Sequence, residues 1–485
     1  MSASLPPPPS PPPGRGVFCN RTLNLRGIRA VGFDMDYTLV HYNVEAWERR
    51  AYEYLQQRLL ERGWPVDDLV FPSDFAMRGL FVDTELGNLV KADRFGYVKR
   101  ACHGLRRLEF DEQRHAYART LVDIAEPRWV FLNTFFSLSE ASMYAQLVDR
   151  LDTGRFGKRV LGYADLWHRV HDALDQTHAE GRLKAEIVEH PDGYVDLDPD
   201  LGRALLDLRE AGKRLLLITN SDWPYTRAMM RYALDRFLPP ATTWQSLFEL
   251  VIVSARKPEF FSARMPLFEI VSEEGLLRPC TGGPTAPGAY LGGHAAMVET
   301  YLGLSGSEVL YIGDHLYTDV RISKDIHRWR TGLIVRELEE ELAAVGGVRE
   351  AQARLDELMA EKTRLEFAQA QLRLRVQRAE HAPADAAPER TAPLESQIGR
   401  LRARIERLDD EIGPLALAVG SIFNQTWGPL MSAGADRSHL ARQLEKSADV
   451  YTSRVSNLLF QTPFAYLRAP RGRMPHDLAL DRGDD

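Results

Sequence analysis

The sequence predicts an α/β fold, a parallel sheet covered by helices on both faces, and three observations carry that expectation. Short apolar runs of strand length recur along the chain, helical patterns separate them, and four of the runs stop abruptly at polar or acidic residues. The first run, residues 28–33, ends at Asp34-Met35-Asp36-Tyr37-Thr38. Residues 214–218 end at Thr219-Asn220-Ser221-Asp222, 250–253 at Ser254-Ala255-Arg256-Lys257-Pro258, and 309–312 at Gly313-Asp314-His315. A fifth run, 331–335, has no comparable polar finish. Residues 199–211 show the helical pattern that would cover such a sheet. Parallel strands point the same way, so their polar ends gather along one edge, where open α/β sheets bind ligands.

The rest of the chain is arranged around a core expected over residues 17–40 and 200–336. Residues 1–16 are proline-rich and are expected to form a disordered tail, since extended polyproline buries nothing. About 170 residues separate the first strand from the second, far more than an α/β connection needs, so residues 41–199 are expected to form a cap domain. Its helical stretch 163–181 and aromatic segments 129–136 and 163–167 suggest a mostly helical cap over the sheet edge. Residues 337–412 carry Leu355, Leu358, Leu365 and Leu372, then Leu394, Ile398, Leu401, Ile405 and Leu408, at three-, four- and seven-residue steps. A proline-alanine break at 382–388 turns the chain back, which predicts an antiparallel, coiled-coil-like helical hairpin. Residues 413–485 read as a C-terminal helical segment packing on the core, mobile after Pro475.

Composition narrows the function. The 485 residues hold 61 Lys+Arg against 68 Asp+Glu, a net charge of -7 that argues against affinity for nucleic-acid phosphates. Cys19, Cys102 and Cys280 are far apart and in no metal-ligand spacing, so neither a disulfide framework nor a structural zinc site is readable. No stretch approaches the ~20 apolar residues of a membrane span, and the first residues lack the order of a signal peptide. A soluble cytoplasmic protein without nucleic-acid or membrane partners is expected.

The chemistry lies at the strand ends. Asp34-x-Asp36 alone is a weak signal, but directly after a buried strand both carboxylates reach the sheet's ligand edge. There one can attack a phosphorus centre while the other shuttles a proton to and from the ester oxygen. A carboxylate attacking a phosphate dianion meets like charge, so the site must supply cations and donors. Thr219 and Asn220 offer a hydroxyl, an amide and backbone N–H groups, Lys257 offers a point charge, and Asp314 with Asp319 offers hard oxygen ligands for magnesium. Taken singly, these are also turns, helix caps and a surface lysine. Together, in order and all at strand ends, they specify phosphoryl chemistry.

These residues carry a resemblance. Gly32-Phe33-Asp34-Met35-Asp36-Tyr37-Thr38-Leu39, Thr219-Asn220-Ser221-Asp222, Ala255-Arg256-Lys257-Pro258 and Tyr311-Ile312-Gly313-Asp314-His315 resemble the four motifs of the haloacid dehalogenase-like superfamily. Within it they are similar to the cytosolic purine 5'-nucleotidase family, the IMP- and GMP-preferring enzymes, as are Phe18-Cys19-Asn20-Arg21, Arg78-Gly79-Leu80 and Leu132-Asn133-Thr134. The resemblance implies a Rossmann-like core and a magnesium-dependent 5'-nucleotidase. It casts Asp34 as the nucleophile that forms an aspartyl-phosphate and Asp36 as the acid/base, with water or a nucleoside as acceptor. Magnesium would sit on Asp34, the Asp36 carbonyl and Asp314, with Asp319 in support, and Thr219, Asn220, Ser221 and Lys257 would hold the phosphate. Asn133, Phe136, His171, Asp175, His178 and Lys184 fall at the family's substrate-binding positions. His171 stands where the purine enzymes carry arginine, which alters how a base carbonyl would be held. Asp123 and Asp325 stand where the animal enzyme binds an activating nucleotide with basic residues, so activation at that site is not expected. A homo-oligomer, dimer or tetramer, is expected. Two alternatives stay open: a phosphatase of the same mechanism on another ester, and a scaffold protein with a vestigial site.

Overall fold

The structure, a computed structural model, describes residues 11–12, 14–157, 161–381 and 391–472. Most of the proline run, the expected turn at 382–388 and the end of the chain after Pro475 lie outside the described residues. The chain divides into two compact units, one spanning residues 1–339 with 430–485 and the other residues 340–429.

The first unit is built on a ten-stranded sheet. In spatial order its strands are Phe18–Cys19, Val450–Thr452, Arg330–Ile334, Val309–Gly313, Ala30–Phe33, Arg214–Ile218, Leu250–Val253, Gly288–Gly292, Leu267–Ile270 and Leu277–Cys280. The run from Val450–Thr452 to Gly288–Gly292 is parallel throughout, and antiparallel pairs occur only at the two edges. The five apolar runs read from the sequence are all strands of this sheet. Central Ala30–Phe33 is buried along its whole length, which is why its text is apolar without alternation. Gly288–Gly292 and Val450–Thr452 are parallel strands that the sequence hides, the first because it opens and closes on glycine, the second because it is three residues long. The pattern at 199–211 is the helix Leu201–Glu210, which buries Leu201, Ala204, Leu205 and Leu208.

The expected cap holds the helices Val44–Glu61, Leu138–Asp152, Tyr163–Glu180 and Arg182–Glu189. It also holds a five-stranded antiparallel sheet, in the order Arg106–Arg107, Val98–His103, Asn88–Ala92, Phe81–Asp83, Trp129–Phe131. The expectation of a mostly helical insertion did not include this sheet. Its two longest strands interrupt their apolar text with polar residues: Asn88–Ala92 is buried at every position yet contains Asn88 and Lys91, and Val98–His103 carries Lys99, Arg100 and His103. The insertion leaves and rejoins the core side by side, because His41–Tyr42 pairs antiparallel with Val195–Asp196.

The other unit is dominated by the helices Arg349–Glu380 and Thr391–Gly420. Arg404 pairs with Glu361 and Arg354 with Glu411, a register in which rising numbers meet falling ones, so the helices run antiparallel. Leu358, Leu408 and Ile412 form the buried seam, with Leu355, Leu365 and Leu415 packed against it. The second helix continues past Ile412 through Pro414 to Gly420.

Near the start of the first unit, Arg15 bonds Asn457, Asp200 and Ser456, and the Ser453 hydroxyl donates to the Gly14 carbonyl. The edge of the main sheet is tied down by one carboxylate. Asp449, only 1% exposed, pairs with Lys324, with Arg330 at 2.9 Å and with Arg21 at 3.6 Å, and accepts the Thr331 N–H. Burial alone would raise its pKa, but Lys324 and Arg330 hold it below the ordinary value. A depressed carboxylate contributes stability that is present above the unfolded value of 3.8 and is lost as the pH falls through the lower folded value. Asp449→Asn leaves three cations facing one another without their counter-charge. It is expected to cost about 3–5 kcal/mol in urea unfolding near neutral pH and to flatten acid unfolding below pH ~4. An unchanged urea midpoint would show that the cluster contributes nothing net.

Candidate active site

Four strand ends converge at the C-terminal edge of the main sheet. Beyond Phe33 the chain curls tightly: the Met35 carbonyl accepts the amides of Thr38, Leu39 and Val40 at 2.9–3.2 Å. This curl holds Tyr37 at φ 54, a left-handed conformation costly for a residue with a Cβ. Rings packed around Tyr37 offset that cost, namely Tyr42, Trp47, Phe135 and Phe136 within 6.1 Å between centroids.

Asp34 is 9% exposed, and its Oδ1 accepts both the Met35 N–H at 2.7 Å and the Lys257 ammonium at 2.8 Å. Lys257 also reaches Asp319 Oδ1 at 2.7 Å and the Tyr311 hydroxyl at 3.1 Å. Its backbone is gripped by one side chain: Asn220 Oδ1 accepts the Lys257 N–H at 2.6 Å, and the Asn220 amide donates to the Lys257 carbonyl at 3.1 Å. Asp319 is fully buried and lies against Gly313, where a Cβ would come within 2.5 Å of its carboxylate, so the glycine is required by close approach. Tyr311 likewise lies over Gly32 and donates to the Ile218 carbonyl at 3.0 Å.

Ligand atoms of Asp34, Asp314 and Asp319, all buried, lie within 4.8 Å of one another. Burial raises Asp34 to about 7, Lys257 pulling it down and Asp319 and Asp36 adding to the rise. Burial, then the Asp34 and Asp319 charges, push Asp314 well above the carboxylate range. Burial acts to lower Lys257, but Asp319 and Asp34 outweigh it and hold the ammonium charged. Three carboxylates thus crowd around the Lys257 ammonium, with the Arg78 guanidinium acting on Asp314 from outside, and Asp314 Oδ2 is buried without a hydrogen-bond partner among the described residues. An acceptor left bare beside excess negative charge, in an all-oxygen set, fits a hard divalent cation. The Asp36 side chain stands outside this cluster.

Asp36 instead faces a cavity of about 230 Å³ lined by Asp36, Asn220 and Ser221 at one end, Trp47, Phe136 and Leu183 as its apolar wall, and Thr177, His178, Gly181 and Lys184 from the helical insertion. Ser221 Oγ donates to Asp36 Oδ2 at 2.6 Å and accepts Lys184 Nζ at 2.9 Å. Helix Tyr163–Glu180 ends at Gly181 with φ 69, and this left-handed stop lets the next helix begin beside the cavity.

The structure therefore brings together Asp34, Asp36, Thr219, Asn220, Ser221, Lys257, Asp314 and Asp319, with Phe136, His178 and Lys184 across the cavity. The Thr219 hydroxyl accepts the Ser221 N–H at 3.1 Å and keeps its own proton to donate, and the Asn220 amide gives one of its two protons to the Lys257 carbonyl. The buried Asp34, Thr219, Lys257, Asp314 and Asp319 are not among the cavity's lining residues, and neither are Asn133, His171 and Asp175. His171 lies seven residues before His178, about 10 Å along the helix axis. There its Nδ1 meets the buried Glu140 at 3.1 Å, its Nε2 lies 3.6 Å from Asp175, and its ring stacks on Trp167. Sequence reasoning missed Trp47, Tyr42 and Tyr225 as site residues, which no motif spacing marks, and gave no role to Tyr311 although it opens the motif that holds Asp314. Arg78, noted only for its family likeness, donates to the Asp314 carbonyl at 3.3 Å and pairs with Glu337.

The model of the 5' nucleotidase family matches residues 17–479. A 5'-nucleotidase domain-containing protein of Dictyostelium discoideum is 27% identical over 480 residues, covering 96% of this chain and 75% of that protein. The 5'-nucleotidase domain-containing protein 2 of Homo sapiens is 30% identical over 345 residues, covering 68% of this chain and 64% of that protein.

The His171 environment makes a measurable statement. The hydrogen bond to Glu140 raises the imidazole from 6.5 to about 9, against the opposing effect of burial. A raised histidine contributes stability fully below 6.5 and loses it as the pH rises through about 9. In an NMR titration the His171 midpoint is expected near 9, returning toward 6.5 in Glu140→Gln. A native midpoint at 6.5 would dissolve the pair.

Proposed function

From the premise that the chain belongs to the 5' nucleotidase family, and so is a 5'-nucleotidase enzyme, we propose that it hydrolyses nucleoside 5'-monophosphates, purine nucleotides first, through an aspartyl-phosphate on Asp34. The observation that carries this reading is the ion pair of Lys257 with Asp34 Oδ1, at 2.8 Å, beside the cavity that Asp36 faces. Both donors to Asp34 converge on Oδ1, which leaves Oδ2 to attack.

Asp34 Oδ2 forms a bond to phosphorus as the bond to the 5'-oxygen breaks, and that oxygen takes a proton from Asp36. Asp36 then removes a proton from water, whose oxygen attacks the phosphorus and releases Asp34 with inorganic phosphate. A nucleoside hydroxyl in place of water would give phosphotransfer. Lys257, the Thr219 and Ser221 hydroxyls and the N–H groups of Asn220 would hold the phosphate. Asp34 and Asp314, with the Asp36 carbonyl and Asp319 in support, would hold a magnesium ion. That ion supplies positive charge against the phosphate oxygens. Trp47 and Phe136 offer aromatic faces to a base, and His178 and Lys184 offer polar contacts. A second reading, another phosphate ester on the same machinery, is favoured by one observation: His171 is engaged by Glu140 away from the cavity.

The cytoplasmic location and self-association belong to the same reading. The helix Arg349–Glu380 leaves Met359 and Phe367 exposed, which supports a contact between copies. Gel filtration of the full chain is expected to give a dimer or tetramer, and monomeric elution would remove that element.

Phosphate release with magnesium from a panel of nucleoside monophosphates, deoxynucleotides and sugar phosphates tests the function. IMP or GMP is expected to lead, and Asp34→Asn is expected to lose about 10⁴-fold or more. An Asp34→Asn protein that keeps turning over would refute the nucleophile. Turnover of sugar phosphates alone would move the assignment to the second reading.

A further inference from the structure

Both oxygens of Asp36 are occupied by hydroxyl donors, and the two donors differ in kind. Ser221, which meets Oδ2, lines the cavity beside Lys184 and can turn to an entering phosphate. Tyr42 meets Oδ1 at 2.6 Å from the other side and is 2% exposed. The Tyr42 hydroxyl also accepts the Tyr225 hydroxyl at 2.9 Å. With its acceptor side taken by Tyr225, Tyr42 has one hydroxyl proton, aimed at Asp36. Its backbone is held by pairing with Val195 where the insertion joins the core, and its ring packs on Tyr37 and Trp47. Tyr225 is 3% exposed in the first turn of the helix Trp223–Leu234, whose amide on that residue is capped by Asp222.

We infer that Tyr42, backed by Tyr225, is the positioning residue of the acid/base: it pins Oδ1 of Asp36 on the buried side, so that Oδ2, on the cavity side, carries the proton to the ester oxygen. This rests on the proposed role of Asp36. The proton on Oδ2 passes to the leaving oxygen as its bond to phosphorus breaks, and Tyr42 keeps its own proton throughout. Removing the Tyr42 hydroxyl frees the carboxylate to rotate without emptying the cavity or touching the Lys257 cluster.

Esters that differ in how much they need an acid provide the test. An alkoxide leaving from a nucleoside 5'-phosphate must be protonated, whereas p-nitrophenolate leaves unaided. Rapid-quench single turnovers with magnesium compare wild type, Tyr42→Phe, Tyr225→Phe and Asp36→Asn. Tyr42→Phe is expected to slow nucleoside release about tenfold or more, a fraction of what a general acid supplies. KM should stay within about twofold and the p-nitrophenol burst near the wild-type rate, the pattern of an interaction lost only in the transition state. Tyr225→Phe, which leaves the Tyr42 contact in place, should show the same pattern more weakly and covers the case in which Tyr42→Phe fails to fold. Equal slowing of both esters would make Tyr42 merely structural, and unchanged nucleotide turnover would make it idle; either overturns the inference. Undiminished nucleotide turnover in Asp36→Asn would instead remove the acid/base reading beneath it.

Discussion

Lys257 is the charge on which the site depends. Asp34, Asp314 and Asp319 crowd within 4.8 Å, and two unit charges about 4 Å apart repel by about 4 kcal/mol at the effective dielectric of a protein site. One buried ammonium, shared between Asp34 and Asp319, makes that crowding tolerable. Much of the surrounding architecture serves this one contact. Asn220 grips the Lys257 backbone, Tyr311 receives its ammonium, and Gly313 makes room for Asp319. The three carboxylates and the bare Asp314 oxygen suit a hard divalent cation.

A parallel sheet is suited to holding such a cluster. The strands Ala30–Phe33, Arg214–Ile218, Leu250–Val253 and Val309–Gly313 all end on the same edge, so residues far apart in the chain arrive from one direction on rigid supports. The division of labour follows from depth. Asp34, Lys257, Asp314 and Asp319 are buried, whereas Asp36 is half-buried and faces the cavity with Ser221. Two carboxylates two residues apart thus enter different environments, one among charges and the other among hydroxyls and aromatic rings.

The insertion supplies the far wall of the cavity, and here helical spacing decides which side chains take part. Thr177, His178 and Gly181 sit on the last turn of Tyr163–Glu180 and its stop, whereas His171 and Asp175 do not line the cavity, and His171 pairs with Asp175 and with Glu140. A family-like position in the sequence does not by itself bring a side chain to the ligand.

Much of the core was legible because its signals are local. Apolar runs with polar ends identify strands and their ligand edge, and they brought Asp34, Asp36, Thr219, Asn220, Lys257 and Asp314, with Asp319, into one expectation. Other features carried no such mark. The insertion's sheet mixes lysine, arginine and asparagine among the apolar residues of its short strands, so that its core, built on Phe81, Val90, Ala101 and Trp129, is not announced by an apolar run. Asn220 reads as a phosphate donor, and nothing in the sequence marks that its amide also bonds Lys257, 37 residues away. The Tyr225 to Tyr42 hydrogen bond spans 183 residues, and Tyr311 meets the Ile218 carbonyl across 93. By itself the sequence determined which chemical groups stand at the strand ends, since a buried strand and its polar finish are encoded in consecutive residues. Which of those groups stay open to a ligand, and which are spent on holding one another, only the tertiary structure decided. Hydrogen-bond partners are chosen by distance in space, to which order along the chain is blind.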